Sequence, residues 1–210
     1  MAHVTDTTPV ELWFDPFCPF AWVTSRWLLE VEKVRAIDPR WRIMSLYVLN
    51  EDKDVSDDYR ASSAKGQQLV RVIAAAADRH GEEYIGRLYT EFGTRLHNEG
   101  RDRELGTLLA IAEESLEAVG LDKGLAAEAM DSTEYDEAIR KSHNEGITLV
   151  GQEVGTPVIR VGANAFFGPV VTTIPRGEDA GRLWDGVLLV TEFDDFFELK
   201  RSRTRRPSFD

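Results

Sequence analysis

From Asp52 to Gly151 the chain carries no proline, and alanine, glutamate, arginine and leucine dominate. A long stretch of helix formers without the residue that breaks helices is read as a block of packed helices. The apolar spacing places them at Tyr59–His80, Glu82–His97, Asp102–Val119 and Ser132–Leu149, with a shorter one near Lys123–Met130. Gly81, Gly100 and Gly120 punctuate them as C-terminal caps or turns. Asp131 three residues before Glu134 is a weak capping-box pattern.

The flanks have a different character. Val10 to Phe14 is a short apolar run with strand-forming residues. From Phe20 to Ile37 the apolar residues Trp22, Val23, Trp27, Leu28, Val31 and Val34 recur at helical spacing. Asp38-Pro39 is expected to end that helix, because the residue before a proline avoids helical geometry. Trp41 to Leu49 is nearly continuous in apolar residues, the pattern of a strand covered on both faces. Together these give a βαβ unit with a right-handed crossover.

After the helical block, Gly155-Thr156-Pro157 leads into Val158–Val161, a turn at Gly162-Ala163-Asn164, and Ala165–Phe167 before Gly168-Pro169. Two short runs around a glycine-containing loop predict a hairpin. A last helix opens at Pro175-Arg176-Gly177-Glu178 and runs towards Lys200, with a break near Phe193. The order is β-α-β, helices, β-β-α, an α/β chain. Residues 8–55 and 150–210 are expected to form one discontinuous domain and 56–149 an inserted helical domain.

Charge narrows the function classes. With 210 residues and a net charge of −12, the chain lacks the basic stripe a nucleic-acid surface needs. No apolar run reaches bilayer-spanning length. Met1 to Asp6 shows no cationic region followed by an apolar one, so a cytoplasmic protein without a signal peptide is expected. Lys200, Arg201, Arg203, Arg205 and Arg206 reverse the trend at the C-terminus. They read either as an anion or subunit contact or as a solvated helix end.

The only cysteine is Cys18, in Trp13-Phe14-Asp15-Pro16-Phe17-Cys18-Pro19-Phe20-Ala21. A strand-like run, a turn, the thiol, and then a proline suited to the first helical position place it at a helix N-terminus. Free N–H groups and the positive dipole end stabilise a thiolate there. An inert buried cysteine is the competing reading. Phe17 and Phe20 flank the thiol and are candidates for a ligand wall, with Trp22 and Pro19 beside them. Asp15 can shift the thiol's ionisation or serve a turn. His97-Asn98 and His143-Asn144 close predicted helices; His143 is a further candidate for lining the site. No histidine spacing suits a metal and no glycine-rich phosphate loop follows a strand, so neither metal, flavin nor nucleotide is expected.

Cys18-Pro19-Phe20-Ala21 at the start of the first helix and Thr156-Pro157 before the third strand resemble the DsbA-like thioredoxin-fold family. Trp13-Phe14-Asp15-Pro16, Thr24-Ser25-Arg26-Trp27, Met44-Ser45-Leu46, Arg140-Lys141-Ser142-His143, Phe166-Phe167-Gly168-Pro169 and Phe197-Glu198-Leu199-Lys200-Arg201 are similar to its mycothiol-dependent nitroreductase branch. The resemblance implies a thioredoxin fold with a helical domain inserted at the middle crossover, and a cis-proline at Pro157 that turns the Thr156 backbone towards the thiol. It implies mycothiol as the low-molecular-weight thiol. A small electrophilic substrate that fits a flat apolar wall and a redoxin as a further partner are expected from the thiol chemistry, in a monomer or homodimer. The branch's Cys-Pro-Trp-Cys motif is broken here, because Phe20 replaces the tryptophan and Ala21 the second cysteine. A thiol oxidoreductase that takes its second sulfur from outside is the leading expectation. A thiol-cofactor isomerase or transferase of the kappa-type glutathione transferase kind, and a non-catalytic binding module, are the alternatives.

Overall fold

The computed structural model describes residues 7–210, and the reading of Met1 to Asp6 lies outside them. A four-stranded sheet in the order β2-β1-β3-β4 organises the chain. β1 (Thr8–Phe14) runs parallel to β2 (Ile37–Ile43) and antiparallel to β3 (Val158–Val161), which pairs with β4 (Asn164–Phe167). Val161 pairs with Asn164, so the hairpin loop is the two residues Gly162-Ala163. Gly162 takes the first loop position at φ 61°, a slot that costs glycine nothing.

The crossover from β1 to β2 is α1 (Pro19–Glu32). It is shorter than its apolar spacing predicts, and Asp38-Pro39 does not end it. Both residues lie inside β2, where Pro39 sits opposite Val10. An edge strand accepts a proline, since one of its rims has no ladder partner. Ile37 is drawn out of the helix because it is buried against Val10, Val31 and Trp184 on the sheet.

The second strand is also shorter than expected. It stops at Ile43, and the apolar run continues as α2 (Leu46–Asn50). Ser45 caps that helix, its Oγ accepting the Val48 N–H at 3.2 Å. The apolar density that resembled a two-face-covered strand is divided between the end of β2, the buried Met44 and a short helix that buries Leu49 and half-buries Leu46, Tyr47 and Val48.

Alternation along β1 divides the core. Val10 and Leu12 face α1 and α8 (Gly177–Thr191), where the Trp27 indole donates to the Ala180 carbonyl at 3.1 Å. Trp13 points to the opposite face and donates to the Ser142 carbonyl of α7 (Asp136–Ile147) at 2.9 Å. A side chain at Gly146 would meet the Trp13 ring at 2.7 Å, so glycine lets α7 lie close on the sheet.

Between α2 and β3 come α3 (Asp57–His80), α4 (Glu83–Gly93), α5 (Leu105–Ala118), α6 (Gly124–Met130) and α7. Their cores join the sheet end through Phe14, Phe17 and Trp22. Phe14 stacks on Tyr89 of α4 with ring centres 3.6 Å apart. α4 continues as a π-helical turn over Thr94–Asn98, which no sequence periodicity announces. The last helix ends at Thr191, close to the expected break, and an irregular tail follows to Asp210.

Candidate functional site

Cys18 is the N-cap residue of α1, with Pro19 at the first helical position. Its Sγ accepts the Ala21 N–H at 3.5 Å and donates to the Thr156 carbonyl at 3.3 Å. The Thr156–Pro157 peptide bond is cis, as is Gly168–Pro169. The Pro157 carbonyl accepts the Gly168 N–H at 2.8 Å, which ties the two proline loops together. The Thr24 hydroxyl of α1 then holds the Pro169 carbonyl at 2.7 Å. The Thr156-Pro157 loop thus meets the thiol, and the Gly168-Pro169 loop braces it against α1.

The environment corrects one expectation. Cys18 is only 7% exposed, and burial pushes its thiol above the ordinary value. The Thr156 hydroxyl and the Ala21 N–H act in the other direction, and the charge of Asp15 adds to the rise. The helix N-terminus favours the thiolate, but desolvation outweighs it. As folded, the sulfur is a thiol that donates a hydrogen bond. The Thr156 hydroxyl is buried without a hydrogen-bond partner, next to that sulfur.

Asp15 is 1% exposed and accepts two backbone N–H groups, from Phe17 at 2.8 Å and Leu46 at 2.7 Å. It fastens the thiol loop to the start of α2. Burial raises its carboxyl to about 6, against those two hydrogen bonds and the nearby Arg103.

The other candidates separate. Phe17, Pro19 and Phe20 surround the thiol; Phe17 is 5% exposed, and the other two are half-buried. Trp22, expected beside them, is in the core instead. It lies one helical turn beyond Cys18 and is 1% exposed; its indole donates to Asn98 Oδ1 at 3.0 Å, and its ring stacks on His97. His143 is also behind the site. Its Nδ1 accepts the Ser45 N–H at 3.4 Å, and burial holds it down at about 4. It joins a buried network in which the Ser45 hydroxyl donates to Gln67 at 2.6 Å and Gln67 donates to Asp136 at 3.3 Å.

Sequence reasoning passed over three neighbours of the thiol. His97 is no helix-end residue on the surface: its Nε2 meets the Pro16 carbonyl at 2.9 Å, so that nitrogen carries the proton. Tyr59 and Arg103 both feel the charge states of Asp15 and Cys18. The Arg103 guanidinium lies 4.4 Å from the centre of the Phe17 ring. None of the three carries a local motif; folding of the helical block brings them to the thiol. Among the described residues no cluster of histidine, cysteine, aspartate or glutamate suits a metal, and no helix is long and apolar enough to cross a membrane.

A parallel-antiparallel sheet, a cysteine capping the first helix and a cis-proline loop facing it define a thioredoxin-fold protein of DsbA-like architecture. Over residues 17–201 the chain matches the family described as mycothiol-dependent nitroreductase Rv2466c, and it belongs to that family. It is 28% identical over 197 residues to "Uncharacterized protein Rv2286c" of Mycobacterium tuberculosis, covering 94% of this chain and 83% of that protein. The probable DsbA oxidoreductase SCO1869 of Streptomyces coelicolor shares the fold at TM-score 0.55 and 15% identity, over 94% of each chain. A 2-hydroxychromene-2-carboxylate isomerase does so at 0.56 and 16%, over 89% of this chain and 98% of its own. The protein is therefore an oxidoreductase with a thiol-dependent redox role.

Proposed function

We propose that Cys18 is the single nucleophile of a thiol oxidoreductase that works with a low-molecular-weight thiol, mycothiol, as its second sulfur. One observation carries this reading. The only cysteine of the chain caps α1 and meets the Thr156 carbonyl across the cis-proline loop, and position 21 holds alanine.

The cycle follows from that arrangement. When a disulfide approaches, the Cys18 sulfur gives up its proton and attacks one sulfur; the S–S bond breaks, and the departing thiolate takes a proton. The small thiol then attacks the mixed disulfide, a new small-molecule disulfide leaves, and the proton given up by the small thiol returns Cys18 to its thiol. For a reducible electrophile such as a nitro-aromatic, Cys18 and one small thiol join as a mixed disulfide and pass two electrons and two protons to it. A second small thiol, or a redoxin, restores Cys18. Phe17, Pro19 and Phe20 wall the approach; Thr156 and Pro157 supply the polar backbone edge. In this scheme residues 56–149 act as an inserted domain over a split thioredoxin-like domain of residues 8–55 and 150–210, in a cytoplasmic monomer or homodimer.

Incubation with mycothiol disulfide followed by intact-mass measurement tests the reading. One small-thiol adduct, absent in Cys18→Ser, is expected; an unmodified wild-type protein overturns it. The buried, protonated thiol supports a second reading, in which a bound thiol cofactor performs isomerisation and Cys18 only donates a hydrogen bond. Turnover that survives Cys18→Ser would favour that one.

A further inference from the structure

Arg103, from the middle of the chain, and Arg203, from its C-terminal tail, lie over the rings of Phe17 and Phe20, the aromatic residues before and after Cys18. The Arg103 guanidinium is half-buried 4.4 Å from the Phe17 ring centre, and that of Arg203 lies 4.9 Å from the Phe20 ring centre. Phe17 directly precedes Cys18 in the chain, and Phe20 follows it by two residues in the first turn of α1. Guanidinium groups stack on aromatic faces and keep their N–H edges free for a planar anion.

Among the described residues neither guanidinium sits in a salt bridge. Most arginines of this acidic chain are held by a carboxylate, as Arg101 is by Glu114 and Arg71 by Asp136. Among the described residues Arg103 and Arg203 have no such partner. Arg103 reaches only the Phe17 carbonyl, at 3.4 Å. Asp15 faces it, but that carboxylate is engaged with the Phe17 and Leu46 N–H groups.

Arg203 is carried to the site by the C-terminal tail, which is fastened beyond it. The Ser208 N–H donates to the Thr172 carbonyl at 2.8 Å. The Phe209 carbonyl accepts from Asn98 Nδ2 at 2.8 Å, and the Phe209 ring packs 5.3 Å from His97. The basic tail is therefore laid across the thiol end of the molecule.

We propose that Arg103 and Arg203 form an anion-binding subsite beside Cys18, which selects flat electrophiles that carry a carboxylate or a similar anionic group. This rests on Cys18 being the reacting centre. Net charge would drive anions away from this protein; the guanidinium pair reverses that preference locally.

Alkylation by iodoacetate and by iodoacetamide tests it at low ionic strength and pH 8. In both reactions the Cys18 thiolate attacks the methylene carbon, the S–C bond forms, and iodide leaves with the electron pair. The ratio of the two rate constants is expected to exceed that of free N-acetylcysteine by about fivefold, the order of a charge-assisted contact at a part-exposed site. Arg103→Gln and Arg203→Gln should each bring it back towards the free-thiol value, while Arg103→Lys retains most of it. 4-Nitrobenzoate should protect Cys18 from iodoacetamide at lower concentration than 4-nitrobenzamide. A wild-type ratio at or below that of the free thiol, or one unmoved in both glutamine variants, overturns the subsite. Should Arg103→Gln fail to fold, judged by far-ultraviolet circular dichroism, the exposed Arg203→Gln still decides. A Cys18 that neither reagent labels refutes the proposed function and the subsite with it; labelling without charge preference refutes the subsite alone.

Discussion

The Cys18 thiol donates to the Thr156 carbonyl across 138 residues of sequence, at 3.3 Å. That bond joins the N-cap of α1 to the residue before the cis-proline, the two halves of the candidate site. It also places the sulfur beside a hydroxyl, that of Thr156, which has no other partner. A protonated thiol and an idle hydroxyl are a resting arrangement. Once the sulfur loses its proton, its bond to the carbonyl is lost, and the hydroxyl can turn and donate to it instead.

Thr156→Val removes that hydroxyl at nearly constant shape. A buried unpaired polar atom disappears, so the folded state is expected to hold or gain up to about 1 kcal/mol. The thiol, deprived of a group that favours its ionised form, should titrate higher still. Alkylation by iodoacetamide at pH 8 should slow about threefold or more, given that one pKa unit is a factor of ten in thiolate. Equal rates in both proteins would show that the hydroxyl does not serve the sulfur.

Asp15→Asn acts in the opposite direction on the thiol. The carboxylate charge raises Cys18, so its removal should lower the thiol's titration midpoint and speed alkylation near neutral pH. The amide has one acceptor oxygen for two backbone N–H donors, those of Phe17 and Leu46. Leaving one of them unpaired costs about 1–3 kcal/mol, and relief of the buried charge offsets part of it. Faster alkylation together with a lower urea midpoint is expected; slower alkylation would contradict the placement of this charge.

The frame of this fold was legible in the sequence, but the closing of its site was less so. Five helices between two β-containing parts follow from composition, because a proline-free run of helix formers admits few alternatives. Strand β2 was misplaced because Pro39 terminates helices in isolation yet is tolerated on an edge strand. The Met44–Leu49 run was misread because apolar density marks burial without saying whether strand or helix is buried; Ser45 was the local signal that could have decided it. Cys18 was legible through Pro19, a feature of adjacent residues. His97, Tyr59 and Arg103 were not, since their nearness to the thiol is created by packing of separate helices. Burial likewise reversed the expected thiol shift, because desolvation depends on what covers the sulfur.

Stability should fall as the solution is acidified from pH 6 to pH 4. His97 and His143 are held down at about 4 by burial, against an ordinary value of 6.5. Unfolding therefore lets both take up a proton in that window, and their contribution is present above 6.5 and lost below it. Asp15, raised to about 6 from 3.8, works the other way: the folded protein keeps a proton that the unfolded chain releases. Two groups against one leave a net uptake of about one proton on unfolding, or ~1.4 kcal/mol of stability lost per pH unit. Urea unfolding between pH 4 and 7 measures the slope. His143→Asn, whose amide oxygen can replace the Nδ1 acceptor for Ser45, should flatten it; an unchanged slope would remove His143 from the account.

Ala21→Cys puts a second sulfur at the third residue of α1, where the Ala21 N–H already points at the Cys18 sulfur from 3.5 Å. The site is fully buried, so the added sulfur must displace neighbours, at about 1–3 kcal/mol of overpacking strain. Its chemical effect should outweigh that cost. In the wild type a mixed disulfide on Cys18 waits for a thiol from solution, and its lifetime should shorten in proportion to the small-thiol concentration. In the variant the new thiol sits three residues away and attacks within the molecule, at an effective concentration far above the millimolar range. Intact mass after brief exposure to a small-thiol disulfide should therefore show a persistent adduct on the wild type. The variant should instead show a loss of two hydrogens and almost no adduct. A persistent adduct on both proteins would mean that the α1 N-terminus does not bring these two positions into reach.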